Sequence, residues 1–129
     1  MRTSGLINAE LIAALTGLRH TDLFAVSDSG LPVPVGVPVI DLGISYGFPR
    51  FEPVLDLILR EVTVEAAWGS RDVATENPDT ATLLADRLNT ELLDHEEFKR
   101  RIADCRFVVR TGEARPFANV LLRAGVPWL

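Results

Sequence analysis

The sequence is poor in the residues that build disulfides and metal sites. It contains one cysteine, Cys105, and two histidines in 129 residues. A lone cysteine excludes an intramolecular disulfide, and so few cysteines and histidines leave no recognisable zinc-ligand cluster. We therefore expect no metal site built by the protein.

Positive charge and long apolar runs are also scarce. The chain has 13 lysines and arginines against 18 acidic residues, a formal net charge of -5. This balance argues against general binding to a nucleic-acid backbone. The N-terminal segment is interrupted by Asn8 and Glu10, so it matches neither a signal-peptide core nor a membrane span. We expect a cytoplasmic protein with neither a nucleic-acid nor a membrane partner.

The apolar content is sufficient for one folded core. Hydrophobic residues make up 47% of the chain, a composition typical of globular proteins. No internal repeat or low-complexity tract divides the sequence. We expect residues 1–129 to form a single domain.

Alternating patterns predict an α/β fold. Apolar residues at helical spacing predict helices over residues 9–18, 51–62 and 77–89, and a fourth beginning near residue 95. Asn8, Asp94, and either Asn77 or Asp79 are placed to cap helices. Six short apolar runs predict strands: LFAVS, VIDLG, VTVEAAW, TELLD, RFVVRTG and VLLRAG. Together they favour a three-layer sandwich, with a largely parallel sheet and helices on both faces.

Polar residues stand at the ends of predicted strands, where α/β folds place their sites. In the stretch GLRHTDLFAVSDSGLPVP, His20 precedes a strand and Asp28 follows it. His95 opens a predicted helix whose apolar face it borders, so we expect a partly buried imidazole. Ordinary turn and capping chemistry also accounts for these residues. Spacing alone therefore indicates only a small α/β domain with a polar pocket.

Several linked segments resemble the D-ribose pyranase family, whose nearest relatives are the L-fucose mutarotases. They are GLRHTDLFAVSDSGLPVP, IDLGISYGFPRFEPVL, EVTVEAA, DHEEFK and VVRTGEARPFANVLLRAGV. The resemblance covers residues 6–126. The GLPVP and GFPRF segments are more similar to the ribose branch than to the fucose branch, so D-ribose is the first substrate that the resemblance implies.

The resemblance also implies site residues. The histidine of the family's HTD motif, its proton donor, corresponds to His20, and the aspartate of its DxGLP motif corresponds to Asp28. A sugar-binding histidine corresponds to His95. The contacts of the family's PYAN motif correspond to Phe117, Ala118 and Asn119. The phenylalanine replaces the family's usual tyrosine and lacks its hydroxyl, so we expect altered rather than abolished sugar binding.

The implied reaction interconverts the pyranose and furanose forms of D-ribose. The anomeric hydroxyl loses a proton, the ring oxygen gains one, and a different hydroxyl then closes on the aldehyde. Neither a metal nor an organic cofactor is needed. Histidine suits these transfers because it can donate and accept protons near neutral pH. We predict that His20 is catalytic, while Asp28, His95 and Asn119 hold the sugar's hydroxyls.

Two alternatives remain open. A mutarotase acting on L-fucose or another aldose would use the same residues. A sugar-binding or transport-associated module would hold ribose without turnover. NMR measurement of exchange between sugar forms, made for several aldoses, distinguishes the first alternative from a ribose-specific enzyme. Ribose binding without faster exchange would indicate the second alternative.

Bulky apolar residues predict self-association. Phe48, Phe51, Trp68 and the terminal VPWL stand in predicted loops, at a strand end and at the chain end, where a monomer would leave some of them exposed. The resembled family forms ring-like homo-oligomers with sites near subunit boundaries. We expect a homo-oligomer larger than a dimer, in which a neighbouring subunit helps to wall the sugar pocket.

Overall fold

The computed structural model describes residues 1–128 and contains one six-stranded sheet. The strands are β1 (Leu23–Ser27), β2 (Val39–Asp41), β3 (Val64–Ser70), β4 (Thr90–Leu93), β5 (Val108–Arg110) and β6 (Val120–Ala124). The helices are α1 (Ala9–Thr16), α2 (Phe51–Glu61), α3 (Val73–Glu76), α4 (Pro78–Arg87) and α5 (His95–Ile102). Every predicted element is confirmed, and the sequence patterns missed only the single turn of α3.

The sheet has the strand order β2-β5-β1-β6-β3-β4. β6 pairs antiparallel with both of its neighbours, whereas all the other pairs are parallel. The predicted largely parallel sheet is therefore confirmed, with β6 as the exception. Five strands finish at one end of the sheet, which we call the carboxyl edge, and begin at the opposite end, the amino edge. β6 alone begins at the carboxyl edge.

Helices cover both faces of the sheet, as predicted. α1, α2 and α4 pack on one face, where Ile58 of α2 and Val26 of β1 belong to the same core. α5 packs on the other face, where Phe98 and Ala25 belong to a second core. Ala25 and Val26 are adjacent in β1, and successive side chains of a strand point to opposite faces. The result is three layers.

The caps begin the helices where the sequence places them. Asn8 and Asp94 cap α1 and α5, and each side chain accepts backbone N–H bonds from the first turn. Of the two candidates for α4, Asn77 rather than Asp79 is the cap. His95 is consequently the first residue of α5, directly after β4. Capping chemistry thus sets the position of one predicted site residue.

The bulky apolar residues divide between core and surface. Phe48 is 61% exposed and Trp128 is 79% exposed. Phe51, in contrast, is fully buried as the first residue of α2, and Trp68 is half-buried. The final residue of VPWL, Leu129, lies outside the described residues. The expectation that some of these residues are exposed is therefore confirmed for Phe48 and Trp128.

Candidate functional site

Five of the six predicted site residues gather at the carboxyl edge. One follows the end of β1, and one follows the end of β4. Because β6 runs in the opposite direction, the segment 117–119 reaches the same edge just before β6 begins. These residues are Asp28, His95, Phe117, Ala118 and Asn119. The strand reversal at β6 is what brings the distant parts of the chain together.

Asp28 and Asn119 hold each other through two hydrogen bonds. The backbone N–H of Asp28 donates to Asn119 Oδ1 at 2.9 Å, and Asn119 Nδ2 donates to Asp28 Oδ2 at 3.3 Å. Asp28 Oδ1 accepts from the N–H groups of Gly30 and Leu31 at 3.0 and 2.9 Å. The carboxylate therefore forms the turn that ordinary Asp-Ser-Gly chemistry indicates, and it is also fixed at the edge.

The environment of Asp28 makes its carboxylate easier to protonate. Burial raises the pKa of Asp28 above its ordinary value of 3.8, because the charged form loses contact with water. Hydrogen bonds from Gly30, Leu31 and Asn119 oppose this rise, and the charge of Glu113 reinforces it. Carboxylates with raised pKa values are enriched at sites that bind polar ligands or transfer protons.

His95 is partly buried, as predicted, beside the end of β3. Its Nδ1 lies 3.0 Å from Oγ of Ser70, a fully buried residue. The ring of Phe117 meets the imidazole edge-on, with centroids 5.0 Å apart and planes at 89°. The ring of Phe98 stacks beneath it at 6.4 Å. These contacts orient the ring and leave Nε2 as the nitrogen not engaged by Ser70.

The backbone of residues 116–118, just before β6, is strained and is kept in place by hydrogen bonds from neighbouring residues. Phe117 has φ of 57°, in the left-handed region that side chains other than glycine seldom adopt. Its carbonyl accepts from Asn119 N at 2.9 Å, and the carbonyl of Pro116 accepts from Asn77 Nδ2 at 2.9 Å. Ala118 is fully buried. Strain maintained in this way is typical of functional segments.

Glu113 organises the same edge, although no sequence pattern marks it as a site residue. Its side chain is buried and accepts from Phe51 N at 3.2 Å and from the guanidinium of Arg115. Its carbonyl accepts from both N and Oγ of Ser29, the residue after Asp28, at 2.9 Å. Burial opposes ionisation, but the hydrogen bonds from Arg115 and the backbone outweigh it and lower the pKa of Glu113. Glutamate is rarely buried, so a loop sequence gives little signal for such a residue.

His20, the sixth predicted residue, lies at the amino edge. The five residues of β1 separate it from Asp28 by roughly 15 Å. Its Nε2 lies 2.8 Å from Glu65 Oε1, and its side chain is 49% exposed. Within one chain, the structure does not bring His20 to the other five residues.

Metal ligands and thiols add no further site among residues 1–128. No group of three histidine, cysteine, aspartate or glutamate residues in that range is placed to hold a metal ion. Cys105 is buried, and burial raises the pKa of its thiol to about 12. Such a thiol is poorly nucleophilic, because the thiolate is the reactive form.

Known proteins are similar in sequence to this chain over nearly its whole length. The D-ribose pyranase 1 of Rubrobacter xylanophilus is 51% identical over 129 residues, covering 99% of this chain and all of that protein. The D-ribose pyranase of Streptomyces avermitilis is 47% identical, covering 98% of each chain. The match therefore includes every segment that contributes to the two edges.

Solved structures share the fold, and one of them contains D-ribose. Bacillus subtilis RbsD complexed with D-ribose superposes with a TM-score of 0.94 at 37% identity, covering 99% of this chain and all of that chain. A fucose mutarotase from Streptococcus pneumoniae has a TM-score of 0.75 at 20% identity, covering 93% and 94%, which shows the fold alone. The sequence model of the RbsD / FucU transport protein family matches residues 1–127. The chain belongs to that family.

Proposed function

We propose that this protein is an isomerase that interconverts the pyranose and furanose forms of D-ribose without a cofactor. The observation that carries the proposal is identity of 40–51% to proteins named D-ribose pyranase over essentially the whole chain. The fold also superposes on a relative complexed with D-ribose. The polar carboxyl edge supplies hydrogen-bonding groups suited to a small polyhydroxylated ligand.

The residues of the carboxyl edge have roles that suit a sugar. The carboxylate of Asp28 can accept bonds from sugar hydroxyls, and Nε2 of His95 can bond another hydroxyl. Phe117 lies perpendicular to His95, and its ring can contact the apolar C–H surface of the sugar. Ala118 and the buried amide of Asn119 keep this surface in place. His20 supplies the proton transfers.

A site that uses both His20 and Asp28 requires two copies of the chain. The two residues lie at opposite edges of one sheet, roughly 15 Å apart across the five residues of β1, a span that a single monosaccharide does not bridge. The ring-like assemblies that the family resemblance implies, with sites near subunit boundaries, offer a solution. We infer that His20 of one copy completes the carboxyl edge of the next.

The surface carries an apolar patch suited to such an assembly. Its members are Ile7, Ile44, Phe48 and Leu57, which are between 38% and 78% exposed. They border a groove of about 320 Å³. The loop that contributes Ile44 and Phe48 follows β2 and packs on Gly112, where a Cβ atom would collide with the backbone carbonyl oxygen of Phe48. The patch thus adjoins the carboxyl edge, and we propose that a neighbouring subunit covers it.

NMR exchange measurements test the activity directly. The protein should accelerate exchange between D-ribose pyranose and furanose signals more than exchange for L-fucose or other aldoses. His20→Ala should slow the ribose exchange by about a hundredfold or more, because it removes the acid and base. A fold preserved by circular dichroism is the control. Ribose binding in calorimetry with no acceleration by the unmodified protein would contradict turnover.

Mixing two variants that each keep only low residual activity tests the shared site. Chains carrying His20→Ala and chains carrying Asp28→Asn are unfolded together and reassembled in equal amounts. If each site draws these residues from different copies, about a quarter of the sites regain both, whereas a site within one chain regains none. Light scattering should also show a mass well above the 14.2 kDa monomer. A fully active monomer would contradict assembly.

We also propose a single-domain organisation and a cytoplasmic location. A single sheet contains strands from residue 23 to residue 124, which supports one domain over residues 1–129. None of the helices within residues 1–128 is long and apolar enough to cross a membrane. A cytoplasmic location stays a prediction, and fractionation of the host cell tests it.

A further inference from the structure

At the amino edge, the imidazole of His20 is paired with a carboxylate. Its Nε2 lies 2.8 Å from Glu65 Oε1, and Oε2 of Glu65 lies 3.6 Å from Nη2 of Arg123. An ionised carboxylate can only accept hydrogen bonds, so the imidazole nitrogen facing it carries the proton. In the neutral ring, this leaves the lone pair on Nδ1. The pair therefore selects one of the two tautomers of His20.

Glu65 occupies an irregularity in the sheet that directs its side chain. Adjacent residues of β6, Arg123 and Ala124, pair with residues of β3 that are two positions apart, and Glu65 is the extra residue between them. Such bulges re-aim a side chain and are frequent beside active sites. Gly125 leaves room for this one, because a Cβ atom there would lie 3.2 Å from the Glu65 Cβ. The direction of the carboxylate is thus set by the backbone.

The backbone beside His20 is also restrained, by a hydrogen bond to β6. Thr21 has φ of 73°, which is rare for a β-branched residue, and its N–H donates to the carbonyl of Ala124 at 2.9 Å. The guanidinium of Arg123, which contacts Glu65, lies 5.6 Å from the ring centre of Trp68. His20 is therefore fixed through the backbone bond of Thr21 to β6, and Glu65 is fixed through its contact with Arg123 of β6. An incidental surface ion pair requires no such support.

We propose that Glu65 is the positioning residue for proton transfer by His20. This role rests on the proposed function, in which His20 moves protons during ribose ring opening. Nδ1 takes the proton of the anomeric hydroxyl while the bond from C1 to the ring oxygen breaks and the aldehyde forms. The imidazolium then gives that proton to the ring oxygen. Reclosure through a different hydroxyl repeats these transfers in reverse, with no net gain or loss of protons.

Glu65 contributes in two ways to this sequence. By accepting from Nε2–H, it keeps Nδ1 unprotonated and ready to accept. Its negative charge then stabilises the imidazolium that forms, as a carboxylate does behind the histidine of a catalytic triad. Glutamine at this position fits the space but can either donate to Nε2 or accept from it, so it selects neither tautomer.

The test is Glu65→Gln, with Glu91→Gln as its control. Glu91 lies on the neighbouring strand β4, and its carboxylate accepts a hydrogen bond from Trp68 Nε1 at 3.2 Å. The Glu91→Gln substitution removes one negative charge, as Glu65→Gln does. For Glu65→Gln we expect kcat for ribose exchange to fall at least about tenfold, with KM changed less than about threefold. The control should keep both values. Unfolding midpoints should match for all three proteins.

The imidazole ¹⁵N shifts supply a readout that a structural role would not move. The protein has two histidines, so His20→Ala assigns the His20 signals. In alkaline buffer, the unmodified protein should show His20 protonated on Nε2, and Glu65→Gln should show a mixture of tautomers. An unchanged tautomer, an unchanged kcat, or an equal loss in Glu91→Gln would each refute the role. If the unmodified protein does not accelerate ribose exchange, the proposed function fails instead, while the tautomer comparison still decides whether Glu65 selects the tautomer of His20.

Discussion

Replacing Glu113 by glutamine should destabilise the protein far more than a surface substitution would. The carboxylate accepts from the backbone N–H of Phe51, the first residue of α2, and from Ala114 N, Arg115 N and the Arg115 guanidinium. Glutamine keeps one oxygen but places an NH₂ group on the other side. Whichever way the amide turns, at least one backbone N–H loses its acceptor in a buried setting.

The expected cost follows from these contacts. A buried N–H without an acceptor costs about 1–3 kcal/mol of unfolding free energy. The Arg115 side chain is 34% exposed, so water compensates much of its loss, and it adds about 1 kcal/mol at most. The sum is about 1–4 kcal/mol, out of a total stability of typically 5–15 kcal/mol. With a slope of about 4 kcal/mol per molar guanidinium, the midpoint should fall by about 0.25–1 M.

Guanidinium unfolding measures this cost. The protein concentration is held fixed, because the proposed assembly would make the midpoint depend on it. Glu52→Gln is the control, since Glu52 lies in the first turn of the same helix with 49% of its side chain exposed. It should change the unfolding free energy by less than about 0.5 kcal/mol. A Glu113→Gln protein as stable as this control would refute the structural role of Glu113.

The effect should also depend on pH. The folded-state pKa of Glu113 lies below its ordinary value of 4.5, so its contribution is fully present above that pH. It is lost as pH falls through the lower folded value, because the carboxylate is then protonated in both states. The stability difference between the unmodified protein and Glu113→Gln should therefore shrink below pH 4.5. A constant difference would contradict the ionised, hydrogen-bonded carboxylate.

Three further perturbations test the carboxyl edge. Phe117→Tyr restores the hydroxyl usual in the family and should strengthen ribose binding or turnover by up to roughly 1.5 kcal/mol, about tenfold, whereas a loss would indicate a pocket shaped for another ligand. Because the pKa of Asp28 is raised, the rate of ribose exchange should fall with decreasing pH at values above 3.8, and Asp28→Asn should lack that acid limb; a limb starting below 3.8 would contradict its role. Asn77→Ala removes both the cap of α4 and the bond to the Pro116 carbonyl, so it should lower the unfolding free energy by about 1–3 kcal/mol and weaken ribose binding; unchanged calorimetry would separate the two effects.

Most of the fold is predictable from local patterns, but strand direction is not. Apolar spacing and caps such as Asn8 and Asp94 specify the helices, since each signal acts within one turn. No periodicity encodes whether β6 runs with or against its neighbours. One signal existed: no helix lies between Arg110 and Val120, and a parallel crossover normally contains one. The four residues of α3 are too few for a helical period to be visible.

Topology is sufficient to predict where some candidate site residues lie, but the contacts that side chains make across strands could not be predicted. Strand ends place Asp28 and His95 at the carboxyl edge, and the general rule for α/β sheets indicates as much. Glu65 and Glu113 escaped notice because their partners are distant in sequence. The bulge that directs Glu65 depends on pairing between β3 and β6, which short apolar runs do not reveal.

β6 connects the two edges physically. It starts directly after Asn119, which holds Asp28, and its fourth residue is Arg123, which contacts Glu65. Its residues between these points are fully buried, so the strand has little freedom to shift relative to either edge. The proposed binding groups and the proposed proton-transfer pair of one chain are therefore held at a fixed spacing. In a ring, each copy would contribute its carboxyl edge to the site shared with one neighbour and its amino edge to the site shared with the other. Because β6 fixes the distance between these two edges, the packing around β6 would affect the geometry of both shared sites.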